Sequence, residues 1–342
     1  MRGRLHTAGE IVDIDCRVDW IWSLLVEAAA GGMTAPVDSV APTVQLVVES
    51  SRQRFDDGGS VRVTRGARLG PTGLIFADAC ASGFSLRIKP CADQLLVIAR
   101  YRPDAKIRAA ATLLRSRFHL IARSVLVQYP ALWWAGVHGR APLHVSALTS
   151  DAGPILLAGP GGVGKSTLVA REISAGSVAA CDNLAVSDGV DVFGVAEPIR
   201  TTTGRPGAGR RVAHGRREAP WPGERPLSLR PERIAVVQLR DVAQTSCEPI
   251  PDDVASRSLI TGTLMAGELR RYWAFGATLA AASGLGPALP AVEGVARRLA
   301  AALPCHLLTL AHTSAATAKR GPETPTPSLG KLFAPELDGH GR

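Results

Sequence analysis

The sequence predicts an α/β protein whose mixed sheet carries flanking helices, preceded by a strand-rich α+β region. Three observations predict it. Between residues 131 and 312, short apolar strands alternate with helical patterns, the rhythm of a sheet covered by helices. One of those strands runs straight into a glycine-rich turn and then a helix. Residues 1–130 instead show short strands punctuated by Gly and Asp clusters such as Asp56-Asp57-Gly58-Gly59.

In the first region the strands are expected around Ile11 and Ile14, at Val44–Val48, Val61–Thr64, Gly73–Phe76, Phe84–Ile88 and Gln94–Tyr101. Leu113, Leu114, Phe118, Ile121, Val125 and Leu126 recur at helical spacing, predicting one helix over 109–127 that closes the region. In the second region, strands are expected at Leu143–Val145, Ile155–Leu157 and Ile234–Val237, with helices over 164–175, 254–282 and 291–302. The strand Pro142–Leu148 should pair with Ile155–Leu157 through the turn Ser150-Asp151-Ala152-Gly153. The tail 313–342, rich in Ala, Thr, Pro and Gly, has no periodic apolar face and is expected to be disordered.

Composition excludes several classes. The 342 residues are 46% hydrophobic and 20% charged, too apolar for a disordered chain, and they show neither a heptad nor a G-X-Y period. The length suits two domains or one large, decorated one. The basic start Met1–His6 is followed at once by polar and acidic residues, so a signal peptide is not expected. The most apolar stretch, Trp20–Ala30, contains Glu27 and falls short of the ~20 residues that span a bilayer. The reading is a cytoplasmic protein without a membrane partner. Six scattered cysteines form no C-x-x-C pair, and Cys305-His306 with His312 lacks the paired spacing of a zinc site.

With 39 basic and 30 acidic residues the net charge is +9, which raises a nucleic-acid partner. The densest patch, Arg205–Arg217, holds no aromatic residue, and Pro206, Gly207 and Gly209 break any helix there. It reads either as a solvated loop or as one contacting phosphate or substrate, and nucleic acid is not expected. The basic residues comprise only five lysines beside 34 arginines. One of the five is Lys165.

That lysine closes Gly159-Pro160-Gly161-Gly162-Val163-Gly164-Lys165-Ser166-Thr167, a match to the phosphate-binding loop (P-loop) pattern G-x-x-x-x-G-K-[ST]. The glycines permit a backbone whose N–H groups converge on an anion, with no side chain in the way. The following helix aims its positive end at the same place. Lys165 supplies a compact cation for the β- and γ-phosphates, and the Ser166 hydroxyl is the usual magnesium ligand. Chance produces such a match in fewer than about one chain in a hundred of this composition. The cofactors expected are therefore ATP, or another nucleoside triphosphate, and Mg2+.

Val178–Cys181 reads as a strand ending in Asp182, sixteen residues beyond Ser166, so one helix returns the chain to the sheet edge beside the loop. Asp182 there can hold magnesium or act as a base, or else cap a turn with Asn183. His144, on the strand before the loop strand, reads on its own residues as a core histidine.

Together these pieces resemble the kinase domain of the HPr kinase/phosphorylase family, whose phosphate loop is of the PEP carboxykinase type. A similar arrangement occurs in kinases encoded beside peptide natural-product genes, such as the lasso-peptide kinases. In that family a strand bearing a histidine precedes the loop strand, and a strand after the loop helix ends in an acidic pair. Here the matching pieces are Leu143-His144-Val145, Gly159–Thr167 and Gly176–Asp182, with Val192–Arg200 following the family's next strand more loosely. The resemblance implies that His144 sits near the transferred phosphate and that Asp182 is base or magnesium ligand. It also implies self-association, because HPr kinases assemble as hexamers.

The chain departs from the family in three places. Its acidic pair is Cys181-Asp182 or Asp182-Asn183, so one carboxylate is missing. No phosphorolysis segment is recognisable in 201–211, so a reverse reaction is not expected. Residues 1–130 do not match the regulatory domain, so the HPr substrate is not carried over and the oligomeric state is left open. The expected activity is a magnesium- and ATP-dependent phosphotransfer, with Asp182, His144 and Lys165 as catalytic residues. The acceptor would be a hydroxyl of a protein, peptide or small molecule. The alternative is a nucleotide-binding accessory or sensor protein that transfers nothing. An ATP-hydrolysing machine is a weaker match, since no second apolar strand ends in Asp-Glu.

Overall fold

The computed structural model describes residues 1–56, 58–201, 210–211, 217–219, 221–311 and 327–333. Most of the arginine-rich stretch 205–217, His312 and most of the tail lie outside these residues. The described chain is a mixed α/β fold.

Alternation along the first strands decides the first sheet. Glu10–Cys16 and Val44–Glu49 bury every second residue, so one face of each meets the core and the other is half-buried. Nine strands join, running in space from Met33–Thr34 through Arg2–Thr7, Glu10–Cys16, Val44–Glu49, Gln94–Tyr101, Phe84–Cys91, Gly73–Phe76 and Ala67–Gly70 to Val61–Thr64. Glu10–Cys16, Val44–Glu49 and Gln94–Tyr101 are mutually parallel, and the outer pairings are antiparallel.

The single helix expected over 109–127 is divided. Leu114 leaves helical geometry (φ −116°, ψ 49°) between Ala105–Leu113 and Arg115–Arg123. Leu113 and Leu114, counted in that helix's apolar spacing, are consequently 81% and 51% exposed. A π-helical turn, Ser124–Gln128, then precedes Tyr129–Val137. Pro130 has no N–H to give to the preceding turn, and widening the turn accommodates that loss. Tyr129–Val137 is apolar on all sides and buried along nearly its whole length. The apolar cluster around it includes Leu184, Val186, Val195, Tyr272 and Phe275, so one core spans both sides of residue 130.

The second large sheet has six strands, ordered Val178–Cys181, Ser146–Ser150, Gly153–Ala158, Arg233–Arg240, Cys305–Ala311, Ser246–Pro249. Gly153–Ala158, Arg233–Arg240 and Cys305–Ala311 are parallel. Side chains leave such strands on opposite faces in turn. Leu156, Ala158, Ile234 and Val236 meet helices Asp252–Leu264 and Val292–Ala302. Ile155, Leu157, Ala235 and Val237 meet helix Lys165–Ser174 on the other face. The helical pattern over 254–282 resolves into two helices, Asp252–Leu264 and Arg270–Ser283, because the chain turns at Met265–Leu269 around Gly267.

Two further expectations need correction. The continuous strand Pro142–Leu148 is broken. Ala141–Leu143 pairs with Ala185–Ser187 in a separate four-stranded sheet, whereas Ser146–Ser150 pairs with the loop strand. His144 and Val145 bridge two sheets, so His144 is not on a strand face. Within the tail, residues 327–333 are folded rather than disordered. Leu329–Leu332 forms a short helix capped by Ser328, and Leu329 is wholly buried against the loop helix. Glu172 accepts the Leu329 N–H at 3.1 Å, and Arg171 donates to the Pro327 carbonyl at 2.8 Å. An apolar triad too short to show a period, Leu329, Leu332 and Phe333, supplies the contact.

Candidate functional site

Strand direction explains why distant segments meet. Ser146–Ser150 runs antiparallel to the loop strand, and Val178–Cys181 antiparallel to it in turn. Val178–Cys181 therefore points the same way as the loop strand, and the two carboxyl ends share one sheet edge. The strand between them begins on that edge, just after His144. Open α/β sheets gather ligand sites at the carboxyl ends of their parallel strands.

The residues at this edge line one cavity of about 230 Å3. Gly161, Gly162, Gly164, Lys165, Ser166 and Thr167 form one wall, His144, Asp182 and Asn183 a second, and Met265–Glu268 a third. Gly159, Pro160 and Val163 belong to the same loop but do not line the cavity.

The loop backbone needs its glycines. Gly159, Gly162 and Gly164 have φ of +136°, +89° and +98°, a region that L side chains rarely adopt. A Cβ on Gly159 would also stand 2.6 Å from the Val237 carbonyl oxygen. At Gly161 and Gly162 it would meet nothing within 4 Å, because both face open space. Gly164 caps the helix Lys165–Ser174, whose N-terminal amides and positive dipole end open on the cavity.

Lys165 is 5% exposed and donates to the carbonyls of Gly159 at 2.7 Å and Pro160 at 3.0 Å. Asp182 is 1% exposed, and its own carbonyl accepts the Ser146 hydroxyl at 2.5 Å, which fixes the end of the strand. His144 Nε2 lies 3.2 Å from Asn183 Oδ1. The His144 backbone N–H, released from any ladder by the sheet crossing, donates to the Thr263 hydroxyl at 3.0 Å.

The acidic character of this wall comes from Asp182 alone. Burial pushes the Cys181 thiol up to about 12, so at neutral pH it stays uncharged, and it donates to the Val145 carbonyl. Asn183 carries no charge. The second carboxylate of the cavity is Glu268, from the turn that interrupts the expected helix 254–282. Sequence reasoning missed it because the apolar period runs on through the turn. Gly267 was the one local signal that the helix could break there.

Loop amides, a buried ammonium, a hydroxyl and carboxylates around an open concavity are donors suited to a polyphosphate with its hydrated cation. The open space over Gly161 and Gly162 fits such a group. No protein-family model matches the chain, and no curated protein matches it either. Among the described residues, no helix is long and apolar enough to cross a membrane.

Proposed function

We propose that this protein is an ATP- and Mg2+-dependent phosphotransferase of the HPr kinase-like type, acting on a hydroxyl acceptor. The observation that carries the reading is that the glycine loop, Lys165, Ser166, His144 and Asp182 line a single cavity although they come from separate segments. A bound nucleotide would supply the phosphoryl group, and magnesium would neutralise charge on its oxygens. The loop amides and Lys165 hold and orient the phosphates, the ammonium exchanging the Gly159 and Pro160 carbonyls for anionic oxygens. Ser166 and Asp182 are the residues suited to hold magnesium. Asp182 is also the group to orient or deprotonate the acceptor hydroxyl. Asn183 holds the His144 imidazole in place beside them. Positioning and charge neutralisation then carry most of the barrier reduction.

The test is incubation with γ-labelled ATP, Mg2+ and host lysate, using wild type, Lys165→Ala and Asp182→Ala. Labelling of an acceptor by wild type, lost in both variants, is expected. ATP binding without any labelled acceptor would sink the kinase reading. Labelling that survives Asp182→Ala would remove Asp182 from its role. The second reading, a nucleotide-binding accessory protein, draws its support from the single acid of Cys181-Asp182-Asn183, where the resembled family has an acidic pair.

A further inference from the structure

The small cavity shares the segment Gly267–Glu268 with a much larger cleft of about 1120 Å3. Helices Arg115–Arg123 and Arg270–Ser283 and the strand end at Phe76 enclose it. Three arginines line it: Arg117, Arg270 and Arg271, all exposed. None of the three has an ion-pair partner among the described residues, unlike the buried Arg123, which pairs with Glu197 and Glu218. Among its apolar lining residues Leu114 is half exposed, whereas Phe76 and Phe275 are buried and form its floor. Leu114 is half exposed only because the chain breaks there, which turns an apolar side chain toward the cleft.

We infer that this cleft is the acceptor site, and that it takes an acidic peptide segment with apolar side chains between its carboxylates. Charge complementarity selects the sign, since the three exposed guanidiniums outnumber the two acidic residues that also line the cleft, Glu268 and Glu218, the latter already paired with Arg123, and so favour anionic partners over basic ones. The volume selects the size, because drug-sized ligands occupy roughly 300–1,000 Å3 and this cleft exceeds that range. The apolar walls give the intervening side chains a surface to bury. The shared Gly267–Glu268 wall lets a peptide lie in the cleft while its hydroxyl reaches into the loop cavity. The inference rests on the phosphotransferase reading only for the word acceptor; the peptide site stands or falls by itself.

Two fluorescein-labelled peptide pools test it. Both are nonapeptides with a central Ser and Leu, Ile or Phe at five positions; one has Asp or Glu at the remaining three, the other Lys. Anisotropy is measured on wild type, on Arg270→Glu/Arg271→Glu, and on Thr278→Trp, which narrows the cleft without changing its charge. Melting temperatures establish that each variant is folded. The acidic pool should bind wild type and lose affinity about tenfold or more in both variants, while the Lys pool does not bind wild type. Equal binding of the two pools, or acidic-pool affinity unchanged by charge reversal, would overturn the inference. Full displacement of the acidic pool by equimolar citrate would overturn it too, pointing to a free organic anion instead. A parallel titration with a fluorescent ATP analogue on wild type and Lys165→Ala reports on the nucleotide site separately. Failure of wild type to bind nucleotide, with peptide binding intact, strikes the phosphotransferase reading and leaves the peptide site standing.

Discussion

Two alanines in one loop should behave in opposite ways. At Gly159 the backbone holds φ +136°, and a methyl would stand 2.6 Å from the Val237 oxygen. Backbone strain of this kind costs about 1–3 kcal/mol, and forcing a close contact about as much again. Gly159→Ala should therefore destabilise the fold by about 2–6 kcal/mol. At Gly161 no positive φ is required and a methyl meets nothing within 4 Å. Gly161→Ala should leave stability within about 0.5 kcal/mol of wild type. It nonetheless places a methyl where the loop faces the cavity, and an affinity loss of about tenfold or more for nucleotide follows if phosphate occupies that space. Urea unfolding followed by circular dichroism reads the first effect, and titration with a fluorescent ATP analogue the second. Wild-type nucleotide affinity in Gly161→Ala would refute the placement of phosphate over that residue. A Gly159→Ala protein as stable as wild type would refute the strain argument.

Other consequences are as direct. Arg123, buried between Glu197 at 3.2 Å and Glu218 at 3.1 Å, is the cation of a buried charge cluster. Arg123→Met leaves two buried carboxylates facing each other and should cost about 3–5 kcal/mol in urea unfolding. Leu329→Ala deletes the buried anchor of the 327–333 segment, so limited proteolysis should cut there sooner than in wild type, as mass spectrometry would show. Burial, with Arg233 adding to it, holds the His306 imidazole below its ordinary 6.5. The unfolded chain then takes up the proton first, so His306 adds stability above pH 6.5 that is lost as pH falls through the depressed value. His306→Asn should lack that component of the pH–stability curve. Glu268→Gln should weaken the Mg2+ dependence of nucleotide binding, though less than Asp182→Asn; an unchanged dependence would exclude Glu268 as the second carboxylate.

Much of the scaffold was legible in local patterns. The strands Val61–Thr64, Gly73–Phe76 and Gln94–Tyr101 begin and end where alternation and turn residues put them. The helix Lys165–Ser174 starts at the residue after the last loop glycine. The failures share a cause. Pro142–Leu148 reads as one strand because Leu143, Val145 and Ala147 are apolar at every second position, but Leu143 belongs to one sheet, Ala147 to another and Val145 to the crossing between them. The switch at His144 depends on Ala185–Ser187, some forty residues downstream, as a pairing partner. The tail helix escaped notice because four residues cannot display a period.

Sequence by itself determined the glycine loop, its lysine and the helix behind it. Those features depend on φ, on the absence of side chains and on a helix end, all properties of neighbouring residues. Tertiary structure decided which groups share the cavity. It took His144 off a strand face and set it at a crossing between sheets, and it buried Cys181, which raises the thiol's pKa. It also brought Glu268 from a distant turn to the cavity that Asp182 lines. Strand pairing and burial are relations between remote segments, and no local pattern encodes which carboxylates they will bring together.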